Sequence, residues 1–146
     1  MSNVMTTRGA QYPLAALFEI SVGDTMVDSS GVEKTIGAAG ATALNAVHLP
    51  PGSVILTGWV VAAGVNDGTS ATVSIGDSVS ATRYVNALDV SSDATAAITN
   101  GAGYVNTAGN DLLVTITTGD GDADEGSVRL VVVYMVEGRV NEVQTA

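Results

Sequence analysis

The 146 residues of the chain suffice for one domain with a hydrophobic core. A formal net charge of −10, with only five basic residues, argues against direct nucleic-acid binding, because phosphates require a basic surface. The chain has no cysteine, which excludes disulfides, thiolate zinc sites and thiol catalysis. No apolar run approaches the ~20 residues of a membrane helix, and the first residues lack a signal-peptide pattern, so we expect synthesis in the cytoplasm and no membrane partner.

Residues 1–13 follow neither a helical nor a strand period, and they predict an extended amino-terminal arm. Met5 and Tyr12 are apolar anchors in this arm, and Arg8 is its one charged side chain. These three residues are the predicted contacts to a partner; the alternative is a frayed chain end. A β-sandwich domain is predicted over residues 14–138, followed by a carboxy-terminal tail over 139–146.

The first half of the domain alternates strand and turn signals. Apolar residues alternate with polar ones over Leu17 to Val22, which predicts a half-buried strand. A turn at residues 28–31 separates two further short strands, at 25–27 and 32–36. Residues 37–46 are rich in Ala and Gly, and they fit a short helix, a loop or a short strand.

A long strand is predicted over residues 53–63, after the stop at Pro50, Pro51 and Gly52. It is apolar on both faces, and Gly58 within it indicates a bulge or a closely packed neighbour. Asn66-Asp67-Gly68 then predicts a hairpin-type turn. The two faces are Val54, Leu56 and Val60 on one side, and Ile55, Trp59 and Val61 on the other.

The second half ends in the longest run of strand-forming residues in the chain, 127–137. Before it, strands are predicted at 71–75, 82–88, 96–99, 104–106 and 112–117. One face of the last strand is a core set, and the other is polar only at Arg129. A strand with two apolar faces is either covered on both sides or covered by a second subunit. The two faces are Val128, Leu130, Val132, Tyr134 and Val136, and Arg129, Val131, Val133 and Met135.

Eight or nine short strands with no long helix predict an all-β protein, an antiparallel sandwich or barrel. We favour a jelly-roll-like β-sandwich over an immunoglobulin-like one, because the cysteine pair of the latter is absent.

No residue pattern predicts a catalytic, cofactor or metal site. The acidic residues of 119–126 could converge on calcium, but the spacing fails the EF-hand pattern, and a solvated loop is favoured. His48, the single histidine, is expected to be structural or exposed. Arg83 is expected to pair with Asp77 and to lay its stem over an aromatic ring. Trp59 is interpreted as a core or subunit-interface residue rather than a sugar-stacking platform.

Three segments resemble small structural proteins of tailed bacteriophages, and within these the head decoration, or cement, proteins. The resemblance lies in a Leu-Pro-Gly-type turn before a strand (49–58), a strand ending in Gly-Asp with a later Arg-Tyr (71–78 and 83–85), and the final strand (126–132). Together these segments span roughly residues 49 to 136; the amino-terminal third carries no match.

The resemblance implies a homotrimer of jelly-roll subunits on the exterior of a virion, holding the major capsid protein against DNA pressure. The apolar second faces would form the subunit interface, and the arm would make the capsid contact through Met5, Arg8 and Tyr12. A head fibre or a receptor- or glycan-binding β-module is the alternative. An enzyme of the cupin type would need a histidine-rich metal site. The predicted interface residues are Ile55, Trp59, Val61, Val131, Val133 and Met135.

Overall fold

The computed structural model describes residues 13–66, 70–119 and 121–136. Within these ranges the regular structure is entirely β, and no helix there could span a membrane. The strands are β1 (Leu14–Ser21), β2 (Thr25–Val27), β3 (Glu33–Thr35), β4 (Gly40–Val47), β5 (Ser53–Asn66), β6 (Ala71–Gly76), β7 (Val85–Asp89), β8 (Ala94–Ala97), β9 (Val105–Asn106), β10 (Leu112–Thr118) and β11 (Glu125–Val136).

The strands form two antiparallel sheets and one small hairpin. The larger sheet has the order β1-β11-β5-β8, with β9 also paired to β5, and the smaller sheet has the order β4-β10-β6-β7. Strands β2 and β3 pair only with each other. Without β2, β3 and β9, the eight remaining strands are ordered 1-8-3-6 and 2-7-4-5 in chain sequence. This is the arrangement of a jelly roll, and it confirms the predicted all-β, jelly-roll-like sandwich.

The core lies between the two sheets and is filled by alternate residues of their strands. In β11 the predicted core face is confirmed, because Val128, Leu130 and Val132 are almost fully buried. The burial of these side chains between two sheets supplies the main driving force for folding. The largest fully buried side chains are Ile36, Leu44, Leu49, Ile55, Ile75, Leu112, Leu130, Val60, Val65, Val73, Val90 and Val114.

A β-bulge in β5 changes which residues face the core. Val133 of β11 is opposite Thr57, but the next residue, Tyr134, is opposite Ile55, so Leu56 is an extra residue. The bulge reverses the alternation of inward and outward side chains along β5. Before the bulge Ile55 faces the core, and after it Val60 does. The predicted grouping of Ile55 with Trp59 and Val61 on one face is therefore wrong. Ile55 is 1% exposed and belongs to the core.

Gly58 lies just after this bulge, as its position in the strand predicted. A β-carbon at Gly58 would lie 2.5 Å from the backbone oxygen of Val131 and 2.9 Å from the side chain of Ile98. Both distances are shorter than a carbon atom allows, so the close neighbour requires glycine here.

One open prediction is decided by the structure, and another needs correction. Of the helix, loop and short strand that residues 37–46 fit, the structure shows a strand: most of these residues form β4, which pairs with β10. The turn signal at 66–68 does not connect a hairpin, because β5 and β6 lie in different sheets. Residues 67–69 lie outside the described ranges. The connection crosses from one layer of the sandwich to the other, a step that a local turn signal does not distinguish from a hairpin.

Candidate functional site

The side of the larger sheet that faces away from the core, here called the outer face, is unusually apolar. Pairing registers place Leu17, Val131, Trp59 and Ala97 in one row across β1, β11, β5 and β8. Because neighbouring strands lie about 4.8 Å apart, this row spans roughly 14 Å. The neighbouring row on one side contains Ala15, Val133 and Thr57.

Solvent reaches much of this surface. Leu17 is 63% exposed, Trp59 45% and Val61 38%. The charged side chains of the next row, Glu19 and Arg129, pair with each other over 3.2 Å, and both are about half exposed. Large contiguous apolar surfaces are uncommon on monomeric proteins outside their interaction sites, so this face is the candidate site.

The outer face contains five of the six predicted interface residues: Trp59, Val61, Val131, Val133 and Met135. Ile55 is the exception, for the reason given above. Two exposed apolar residues were missed, Leu17 and Leu56. The exposure of Leu17 was predictable from the sequence. Because Phe18 faces the core, alternation places Leu17 on the solvent side of the strand, together with Glu19. The exposure of Leu56 was not predictable, because only the bulge turns it outward.

The predicted contacts of the arm, Met5, Arg8 and Tyr12, lie outside the described residues, as does the whole predicted tail, 139–146. Their roles stay predictions.

Apart from the outer face, a polar cluster links the end of β6 to the segment before β7. The Arg83 Nε donates to Asp77 Oδ2 over 2.8 Å, and the guanidinium lies 3.8 Å from the centre of the Tyr104 ring. The predicted pairing of Arg83 with Asp77 and an aromatic ring is therefore confirmed. Asp77 Oδ1 also accepts the backbone N–H groups of Val79 and Ser80, at 2.9 and 2.8 Å. These contacts fix the turn that follows β6.

Burial raises the pKa of Asp77, but hydrogen bonds from Arg83 and from the backbone of Ser80 and Val79 outweigh it, and the net pKa is below its ordinary value. A depressed carboxyl pKa adds stability above the unfolded-state pKa of about 3.9, and this stability is lost as the pH falls through the folded-state pKa. In the adjacent core, burial raises the pKa of Tyr84 to about 12.

We expect Arg83→Met to lower the free energy of unfolding by about 2–4 kcal/mol at pH 7, because it leaves the Asp77 carboxylate buried without its cation. The difference from the wild type should shrink as the pH falls through the lowered pKa of Asp77, where this carboxylate becomes protonated. Urea unfolding at pH 7 and pH 3 measures both effects. Arg129→Met, which breaks the exposed pair with Glu19, is the matched control and should cost less than about 1 kcal/mol. Equal losses for the two variants would contradict this account.

His48 is exposed, as predicted, and its Nδ1 lies 2.6 Å from Asp111 Oδ1. The pair lies at the rim of an open groove of about 790 Å³ on the smaller sheet. Among the described residues, no group of three or more acidic or histidine side chains could hold a metal ion. In the acidic loop, Asp122 accepts the backbone N–H of Ala39 over 2.8 Å, so this carboxylate has a structural contact.

No protein-family model matches the chain, and no curated protein matches it in sequence. Several solved structures are similar to it in fold. One is a chain of the cyanophage Pam1 capsid asymmetric unit, at 22% identity and a TM-score of 0.63, covering 93% of this chain and 91% of that chain. Another is a chain of the capsid of Ralstonia phage GP4, at 16% identity and a TM-score of 0.56, covering 99% and 92%.

A third similar chain belongs to the capsid of Helicobacter pylori bacteriophage KHP30, at 16% identity and a TM-score of 0.51, covering 82% of this chain and 87% of that chain. The three likenesses cover between 82% and 99% of each chain. They establish the fold class, a jelly-roll β-sandwich that occurs in phage capsid structures.

Proposed function

We propose that the chain is a bacteriophage capsid decoration protein, which binds the exterior of the head as a homotrimer and stabilises it against internal DNA pressure. The observation that carries this proposal is the outer face: an acidic jelly roll that exposes Leu17, Trp59 and Val61 needs a partner surface. The likeness to three phage capsid structures supports the same conclusion.

The outer face would form the contact between subunits. Val131 and Trp59 lie opposite each other at its centre, where a neighbouring subunit would exclude water most completely. Val61, Val133 and Met135 surround this pair. The threefold state follows from the resemblance to decoration proteins, and a trimer would cover the apolar surface of every copy.

The net charge supports a place on the exterior. At −10 the subunit would be repelled by packaged DNA, whereas acidic charge keeps an exposed shell protein soluble. The arm would contact the major capsid protein through Met5, Arg8 and Tyr12, since Arg8 supplies a cation that an acidic surface could accept. The protein would be made in the host cytoplasm and incorporated into the virion.

The role is structural, without catalysis or a cofactor. The alternative, a head fibre or a glycan-binding module, draws support from one observation, the exposed indole of Trp59. Its neighbours in the row, however, are Leu17, Val131 and Ala97, which offer no side-chain hydrogen bonds to sugar hydroxyls. A protein partner fits such surroundings better.

The test is to add the purified protein to phage heads that lack it. We expect co-sedimentation with the heads at saturable stoichiometry, and a higher temperature for heat-induced DNA release from the decorated heads. Heads treated with heat-denatured protein serve as the control. Binding to host cells or glycans with none to heads would overturn the proposal in favour of the fibre alternative.

A further inference from the structure

Strand β1 forms a long open edge of the larger sheet. Its pairing with β11 runs without a register shift from Leu14 to Ser21. The next residue, Val22, donates its N–H to the Gly126 carbonyl over 2.9 Å. Since bonded residues alternate along an antiparallel ladder, every second residue of β1 directs its backbone groups away from β11. These residues are Ala15, Leu17, Glu19 and Ser21.

One end of this edge is already capped. The N–H of Ser21 donates to Asp24 Oδ2 over 3.0 Å, and its carbonyl accepts the N–H of Asp24 over 3.1 Å. Ala15, Leu17 and Glu19 have no such backbone partner among the residues that the structure describes. Their N–H and C=O groups therefore form a short ladder open to an added strand.

The other sheet edges are protected within the described part of the chain. The β2–β3 hairpin covers β4: Asp28 bridges to Leu44, and the N–H of Ser29 donates to the Ala43 carbonyl over 2.8 Å. Strand β7 is irregular, with a register shift against β6 and a positive φ of 48° at Ala87. Strand β8 has four residues. Short, bulged or covered edges are the usual protection against strand addition.

Strand β1 has none of these protections. It contains no proline, lysine or bulge, and the carboxylate of Glu19 is paired with Arg129. Leu17 is 63% exposed in a single subunit, but its side chain lies on the outer face, which is the proposed subunit contact. The edge itself therefore offers a partner its main-chain donors and acceptors, and these suit an extended segment.

We propose that β1 binds an extended segment of the capsid shell protein as an added strand. This inference rests on the proposed function and names the element that would contact the shell. The arm predicted over residues 1–13 is joined to Leu14, the first residue of this edge, and an extended chain of that length reaches at most about 45 Å. Because the arm is proposed to bind the shell, the shell would lie next to β1.

Ala15→Pro tests the proposal. The proline nitrogen would face away from β11, so no bond of the described sheet is lost, whereas the open ladder loses a donor and gains a bulky ring. We expect binding to undecorated heads to weaken at least tenfold, with an unchanged sedimentation coefficient and far-UV spectrum. Ala15→Ser keeps the N–H and is the matched control, expected to bind as the wild type does.

Hydrogen exchange of the wild-type protein provides a second test that needs no variant. The amides of Ala15, Leu17 and Glu19 should exchange rapidly in the free trimer and become protected on heads. Protection already present in the free protein would assign the edge to this chain's own arm or to a second copy, and would overturn the proposal. Equal binding by Ala15→Pro and Ala15→Ser would also overturn it. Failure of the wild type to bind heads would instead defeat the proposed function itself.

Discussion

Val131→Asp is expected to convert the proposed trimer into a folded monomer. Val131 lies at the centre of the outer face, between Leu17 and Trp59. A carboxylate there is solvated in the monomer but loses its water in the assembly, which costs several kcal/mol for each copy. Every 1.4 kcal/mol changes an association constant tenfold, so a micromolar solution should dissociate. Val133→Asp, one row away, should act in the same direction.

Sedimentation equilibrium measures this effect directly. The wild type should give three times the 14.6 kDa mass of one chain, and Val131→Asp the mass of one chain. Thr117→Asp, on an exposed site of the smaller sheet, is the control and should stay trimeric. Val132→Asp places the charge in the core and should unfold the subunit. A wild type that is monomeric at micromolar concentration would contradict the interface, as would a trimeric Val131→Asp.

Deletion of residues 2–12 is expected to leave a folded trimer whose binding to undecorated heads falls by orders of magnitude. The strands begin at Leu14, so the described sheets keep all their pairings. Ordering an arm costs about 1–2 kcal/mol per residue fixed, and three arms on one trimer offset this cost through high effective concentration. Removing all three arms therefore removes a large part of the avidity.

Far-UV circular dichroism and sedimentation check the fold and the oligomer of the truncated protein, and co-sedimentation with heads measures its binding. Deletion of residues 139–146, a truncation of similar size at the other terminus, is the matched control and should bind normally. Arg8→Glu in the full chain separates the charge of the arm from its length. Normal decoration by the protein that lacks residues 2–12 would show that the arm is not the capsid contact.

The sequence pattern predicted the fold class because local alternation and turn residues are short-range signals. The two faces of β11 were assigned correctly, since its ladder with β1 is regular and its alternation unbroken through Val136. The pairing of Arg83 with Asp77 was also predictable from the sequence, because only six positions and one turn separate the two residues. Both predictions depend only on the sequence within a few positions of the residues concerned.

The errors have a different physical origin. The bulge at Leu56 depends on the register of β5 against a strand more than seventy residues away, and no local pattern reveals it. It moved Ile55 into the core and turned Leu56 outward. In the same way, the step from β5 to β6 crosses between layers because β5 pairs with β11 in one sheet and β6 pairs with β10 in the other. The open edge of β1 likewise became visible only with the sheet order.

Electron cryomicroscopy of heads purified from the proposed parent phage is the most direct test of the proposed function. We expect threefold clusters of the jelly roll on the capsid exterior, with Trp59 and Val131 buried between copies. Heads that contain no copy of the chain would contradict the proposed function. So would copies on the exterior whose outer faces are exposed to solvent.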